Sequence, residues 1–198
     1  MTTVCQRGRL IIISGPSGAG KSTVVRRLIA QCPLPLQLSI SATTRPPRPG
    51  EVHGRDYYFV SPEEFERLRD AGAFLEYKQV YGKYWYGTLR QQVDEALELG
   101  KWVILEIDVQ GALTVMEQQP DVLSFFVHPG SREELERRLR NRGTDDEQSI
   151  QRRLQVADEE LAYRDRYKFE IINRDVDAAV EEICRTLQQY AIGVEHAG

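Results

Sequence analysis

Residues 10–22 read Leu10-Ile11-Ile12-Ile13-Ser14-Gly15-Pro16-Ser17-Gly18-Ala19-Gly20-Lys21-Ser22, and the fold follows from this stretch. Four aliphatic residues in a row suit a strand buried on both faces. The glycine-rich segment after them matches G-x-x-x-x-G-K-[ST]. A helical pattern then runs from Lys21 to Gln31, before Pro33 and Pro35 forbid continuation. Strand, glycine turn and helix in that order make a seat for phosphate. The glycines let successive backbone N–H groups turn inward around phosphate oxygens, and Lys21 supplies a point charge to the β/γ-phosphates. The Ser22 hydroxyl is the candidate ligand for Mg2+. A glycine turn that merely ended a strand would not need Lys21-Ser22.

Working outward, Trp102–Ile107, Leu123–Val127 and Phe169–Ile172 read as three further core strands, each followed by a helical pattern. Short apolar runs alternating with amphipathic ones predict a parallel α/β sheet flanked by helices. Ser61-Pro62-Glu63-Glu64, Ser131 with Glu134, and Thr144 with Glu147 have the chemistry of helix starts, and Gly72, Gly100 and Gly143 that of helix ends. Residues 38–87 differ: proline, glycine, tyrosine and short alternating runs suit a small antiparallel or mixed sheet inserted into the core. A second insertion, 137–153, is helical, arginine-rich and broken by Gly143. The expected organisation is one domain, 1–198, with a core of 8–37, 88–136 and 154–192, a lobe at 38–87 and a lid at 137–153.

Composition narrows the class. The chain has 198 residues, 41% hydrophobic and 28% charged, as an ordinary globular protein has. Its net charge of -4 gives no overall pull toward nucleic acid or acidic membranes. Cys5, Cys32 and Cys184 are odd in number and lack C-x-x-C spacing, which suits a reducing cytoplasm better than a disulfide framework or zinc site. With no signal peptide or membrane-length apolar run, the chain reads as soluble and cytoplasmic, without an obligatory protein partner.

Two segments speak to the reaction. Asp108-Val109-Gln110-Gly111 resembles the D-x-x-G of GTPases at a strand end, where a carboxylate could reach Mg2+ directly or through water. No N-K-x-D sequence accompanies it, so the GTPase reading is weak. In Ser41-Ala42-Thr43-Thr44-Arg45-Pro46-Pro47-Arg48-Pro49-Gly50, the prolines favour about three residues per turn, which places Arg45 and Arg48 on one face. Two guanidiniums so placed make a fork for phosphate. A solvated, proline-stiffened loop is the plain alternative, less favoured beside a triphosphate loop.

SATTRPPRPGEVHGRDYYFV (41–60) resembles the substrate-binding signature of guanylate kinases, and GPSGAGKST (15–23) their ATP loop. ILEIDVQGA (104–112), RLRNRGTDDEQSIQRRL (138–154) and IINRD (171–175) extend the similarity in the family's order, from about Leu10 to Gln189. The resemblance implies a P-loop NTPase core, an inserted small mixed-β lobe that binds a nucleoside monophosphate, and a helical lid. It implies ATP and GMP as substrates, with Mg2+. Gly15, Pro16, Ser17, Gly18, Ala19, Gly20, Lys21, Ser22 and Thr23 would hold ATP, with Asn173 at the adenine, although turn chemistry explains Asn173 equally well. Ser41, Arg45, Arg48, Tyr57, Glu76, Tyr86, Thr88, Glu106 and Asp108 would line the GMP site. Lys21, Arg45, Arg138, Arg142 and Arg153 would stabilise the transferring phosphoryl group. For the lid arginines, a solvated helix face is the competing explanation.

Glu76 carries the base selectivity, because a carboxylate accepts from both N1–H and the exocyclic amino group of guanine, a pair adenine does not offer. Tyr81–Thr88 has one residue more than the family's run. Aligning Tyr86-Gly87-Thr88 with its Tyr-Gly-Thr/Ser leaves Tyr84 and Tyr86 as alternatives at the phosphate, with packing expected of at least one aromatic there. Two rivals remain. One is a non-catalytic interaction module of the same fold, against which the intact Lys21-Ser22 speaks. The other is transfer to a different acceptor, against which Glu76 speaks.

Overall fold

In the computed structural model, which describes residues 7–80, 82–141 and 146–193, the apolar run becomes β1 (Leu10–Ser14) and the segment beyond the glycine turn becomes α1 (Lys21–Gln31). There follow β2 (Leu36–Leu38), β3 (Ala42–Thr43), β4 (Tyr58–Phe59), α2 (Pro62–Asp70), β5 (Phe74–Val80), β6 (Tyr84–Leu89) and α3 (Arg90–Glu98). The chain continues through β7 (Trp102–Glu106), α4 (Val109–Gln118), β8 (Leu123–His128), α5 (Arg132–Asn141), α6 (Glu147–Leu161), β9 (Phe169–Ile172) and α7 (Val176–Ala191).

β1 lies at the centre of a five-stranded sheet of order β2-β7-β1-β8-β9, parallel throughout. Its unbroken apolar run is needed because both faces are covered. Ile11 and Ile13 pack with Val24, Val25 and Leu28 of α1 and Val180 and Ile183 of α7. Leu10 and Ile12 pack with Val93 and Leu97 of α3 and Ala112 and Val115 of α4. All strands point their C-terminal ends to one edge, the edge at which open α/β sheets bind ligands. β2 escaped the sequence reading: three residues long and set directly after Pro33 and Pro35, it carries too little periodicity to register.

The second sheet, order β4-β3-β6-β5, is mixed: β3 runs parallel to β4, and both remaining pairs are antiparallel. Its small core centres on Phe65 of α2, stacked on Phe74 at 4.5 Å and on Trp85 at 5.9 Å between ring centroids. Ser61 caps α2 by accepting from the Glu64 amide at 3.2 Å, as its sequence predicts. Gly72 closes that helix in a Schellman turn: its N–H meets Arg69 O at 2.9 Å and that of Ala73 meets Leu68 O at 2.9 Å. Gly100 does the same for α3. Ser131 accepts from the Glu134 amide at 3.2 Å. α6 departs from expectation. Its cap is Asp146, which accepts from the Ser149 amide at 2.7 Å; Thr144 and Gly143 lie outside the described residues. α5 and α6 share an apolar seam of Leu135, Leu139, Ile150, Leu154 and Ala157.

Candidate active site

The loop of residues 15–20 joins the end of β1 to α1. Gly15 has φ +134°, and a Cβ on it would stand 2.1 Å from the Val127 carbonyl oxygen, so only glycine lets the chain pass β8 there. Gly20 caps α1 with no side-chain hydrogen bond, so an approaching anion would meet main chain at the start of the helix. Lys21 folds back over the loop, donating to the carbonyls of Gly15 at 2.7 Å and Pro16 at 3.0 Å. Ser17, Ser22 and Thr23 are exposed, whereas Pro16 and Ala19 are buried.

Asn173 and Arg138 brace the loop from behind. Asn173 Nδ2 donates to Ala19 O at 2.7 Å, and Arg138 donates to Asn173 O at 2.7 Å and to Ala19 O at 3.3 Å. Asn173 is buried, and its Oδ1 has no hydrogen-bond partner among the described residues. Arg153 is half-buried on α6, and Arg142 lies outside the described residues. Glu160, also on α6, is pushed up to about 7 by burial, with the Lys21 charge pulling the other way.

Facing this loop, a cleft of about 330 Å³ opens between the small sheet and the end of β7. Ser41, Arg45, Arg48, Tyr57, Glu76, Tyr86, Glu106 and Asp108 all line it. Thr88, the remaining residue of that set, stands behind Glu76 and donates its hydroxyl to Glu76 Oε1 at 2.6 Å. Glu76 is 7% exposed. Burial pushes its carboxyl up to about 7, the Thr88 hydrogen bond opposes this, and the negative charge of Asp108 adds to it. A Cβ on Gly111 would stand 2.7 Å from Glu76 Oε2, so the carboxylate rests against the first turn of α4 where a side chain is missing.

The arginine pair is not a simple fork. Buried Arg45 turns its Nη1 and Nη2 onto Glu51, at 3.0 and 2.9 Å, and its Nε donates to the Tyr86 hydroxyl at 3.1 Å. Glu51 also accepts from the Arg48 amide at 2.7 Å. The Tyr57 ring lies beneath Arg45, 5.4 Å from its Cζ, and burial raises the Tyr57 hydroxyl above its usual range. Of the three consecutive aromatics, Tyr86 lines the cleft and Trp85 packs on Phe65. Tyr84 carries Lys83 5.0 Å above its ring.

The two carboxylates at the end of β7 both line the cleft, as expected, but make different contacts. Ser22 Oγ donates to Glu106 Oε1 at 2.5 Å, so Glu106 is the carboxylate at the loop serine. Asp108, assigned to the metal on sequence, caps α4 by accepting from the Gly111 amide at 2.9 Å and lies 3.3 Å from Lys78. Sequence reasoning missed Glu51, Lys78, Gly111 and Glu160. For Lys78 a signal existed: strand alternation puts it on the face of Glu76.

A family model described as guanylate kinase matches residues 7–190. The chain belongs to the guanylate kinase family. A guanylate kinase of Rhodopirellula baltica is 61% identical over 184 residues, covering 91% of this chain and 87% of that one. A guanylate kinase of Rubrobacter xylanophilus is 50% identical over 188 residues, covering 95% and 97%. Among solved structures, a guanylate kinase from Anaplasma phagocytophilum superposes with a TM-score of 0.75 at 33% identity, over 93% of this chain and 87% of that one. No helix among the described residues is long and apolar enough to cross a membrane.

Proposed function

We propose that this family member transfers the γ-phosphoryl group of ATP to GMP in a single in-line step, giving ADP and GDP. The observation that carries the reading is the buried Glu76 carboxylate at one end of a cleft whose other end holds Arg45, Arg48, Tyr57 and Tyr86, facing a phosphate loop. Glu76 accepts from N1–H and the amino group of guanine, with Thr88 holding its other lone pairs and Ser41 nearby. Arg48, the Nε edge of Arg45 and the two tyrosine hydroxyls hold the acceptor phosphate. Lys21 leaves the loop carbonyls for the β/γ-phosphates, and the positive end of the α1 dipole completes the donor seat. The acceptor phosphate oxygen is ionised near neutral pH, so no general base is required and positioning does most of the work.

The donor atoms present suit Mg2+. Ser22 and Glu106 are hard oxygen ligands in contact, with Asp108 two residues on. No cluster of three or more His, Cys, Asp or Glu forms a metal site among the described residues. Mg2+ is commonly held by one or two carboxylates and completed by nucleotide phosphates and water, and Glu106 with Ser22 would supply the protein's share. Bound there, it would neutralise charge on the β- and γ-oxygens. Arg138, against the loop, and Arg153 stabilise charge on the equatorial oxygens, and α5 and α6 act as a lid that closes with the small lobe to exclude water.

ADP release from MgATP with GMP, AMP, CMP and UMP as separate acceptors tests the reading. Turnover with GMP and little with the others is expected. No turnover with any acceptor while ATP still binds would leave a non-catalytic interaction module.

A further inference from the structure

We propose that Lys78 is a further ligand of the acceptor phosphate, its ammonium passing from Asp108 to the nucleotide when GMP enters. The inference rests on the reading of the cleft as the GMP site.

Strand alternation supplies the first argument. In β5, Tyr77 and Gln79 face solvent, while Glu76, Lys78 and Val80 line the cleft. The register with β6 sets Glu76 opposite Thr88 and Lys78 opposite Tyr86. Directly opposed residues on one face have Cβ atoms about 5 Å apart. Lys78 therefore stands one rung from the base-reading carboxylate, beside the tyrosine whose hydroxyl meets Arg45 at 3.1 Å. Its stem is rooted on the wall against which the 5′-phosphate of a guanine seated on Glu76 would lie.

Charge supplies the second. The cleft is lined by three cations, Arg45, Arg48 and Lys78, and four carboxylates, Glu51, Glu76, Glu106 and Asp108. Glu51 takes the Nη fork of Arg45 in two hydrogen bonds and so neutralises it. A phosphate monoester brings a charge of about -1.5 to -2 near pH 7. Arg48 alone leaves that charge under-compensated, and Lys78 is the remaining cation lining the cleft.

Its present partner does not hold it firmly. Lys78 and Asp108 lie 3.3 Å apart with side chains 37% and 33% exposed, and pairs so exposed contribute little. Lysine is a point charge on a flexible stem, able to turn from one anion to another without the planar geometry that fixes Arg45 on Glu51. The exchange also releases an Asp108 oxygen at the end of the cleft nearest Ser22 and Glu106, where the donor phosphates arrive.

The test is the affinity for GMP and for guanosine, without ATP or Mg2+, in the unaltered chain and in Lys78→Met and Lys78→Arg. Calorimetry suits GMP, and NMR titration suits the weaker guanosine. Lys78→Met should weaken GMP about ten-fold and leave guanosine within two-fold, because only the phosphate is affected. Lys78→Arg should recover most of the loss, and unchanged ATP affinity shows that the variant is folded. GMP affinity within two-fold of the unaltered chain in Lys78→Met would overturn the proposal. So would equal losses for GMP and guanosine, which would make Lys78 a brace between the sheets. An unaltered chain that bound guanosine as tightly as GMP would instead bring down the phosphate end of the cleft itself, and Lys78 with it.

Discussion

On the proposed reading, the donor phosphates meet main chain: the glycine loop and the start of α1, seated on the middle strand of a five-stranded sheet. The acceptor phosphate meets side chains drawn from the loop after β3, from β5 and from β6, carried by a small sheet whose buried apolar core is Ala42, Phe65 and Phe74. The first arrangement, as proposed, uses backbone groups that do not read the base. The second is selective, and it is charge-paired before any nucleotide arrives, with Arg45 on Glu51 and Lys78 on Asp108. Generality in this enzyme resides in the backbone, and specificity in buried side chains.

The sharpest way to break that division is at Lys21. Lys21→Met removes a charge aimed at the transferring group, so kcat should fall by roughly 10²–10³ while GMP affinity stays within a few-fold. A comparable loss of GMP binding, measured by calorimetry, would mean that the two ends are not independent.

Phe65→Ala attacks the other end. Emptying a fully buried aromatic site costs about 3–5 kcal/mol, and the small core has little else to absorb it. GMP binding should be lost while ATP still raises the melting temperature of the remaining core. Loss of both would show that the sheets unfold as one unit.

Gly111→Ala is a finer probe. The new methyl would press on Glu76 Oε2, so KM for GMP should rise about ten-fold, the scale of one displaced hydrogen bond to a charged group. KM for ATP should stay unchanged; a matching rise there would point to a shift of α4 as a whole.

The smallest effect expected is with pH. Burial lifts Glu76 from its ordinary 4.5 to about 7, so the folded, nucleotide-free chain holds a proton that the unfolded chain has released between those values. Stability from this group thus falls as pH rises through that window, and guanine, which requires the ionised form, binds better as the proton leaves. From a value near 7, GMP affinity at pH 6 should be about five-fold below that at pH 7. The second ionisation of GMP's own phosphate, near 6, adds to the trend. Glu76→Gln should show that remainder alone. An unchanged slope in the variant would place the titrating group elsewhere, with Glu160 the next candidate.

Legibility from sequence follows the same division. The donor end is local, so strand, glycines, lysine and helix stand in one stretch and were read directly. The Glu76 and arginine-proline positions were legible through their family signature. What escaped depends on distant residues meeting. Glu51 matters because it closes a loop onto buried Arg45, and Gly111 because a helix turn passes Glu76. Lys78 matters because a strand register sets it opposite Tyr86. The contact of Glu106 with Ser22 has the same origin: Glu106 and Asp108 stand two residues apart at a strand end and diverge because Asp108 serves as the cap of α4. β2 was missed for a simpler reason, having three residues and no pattern of its own.

The central claim, that selectivity lies in a buried carboxylate and not in the phosphate loop, is tested most directly by comparing GMP with inosine monophosphate, which lacks the exocyclic amino group. The ratio of their kcat/KM values should be about 10² in the unaltered chain, as expected when a buried acceptor is left unpaired, and should collapse toward 1 in Glu76→Gln. A ratio that survives the substitution would contradict the account and move base recognition to another wall of the cleft.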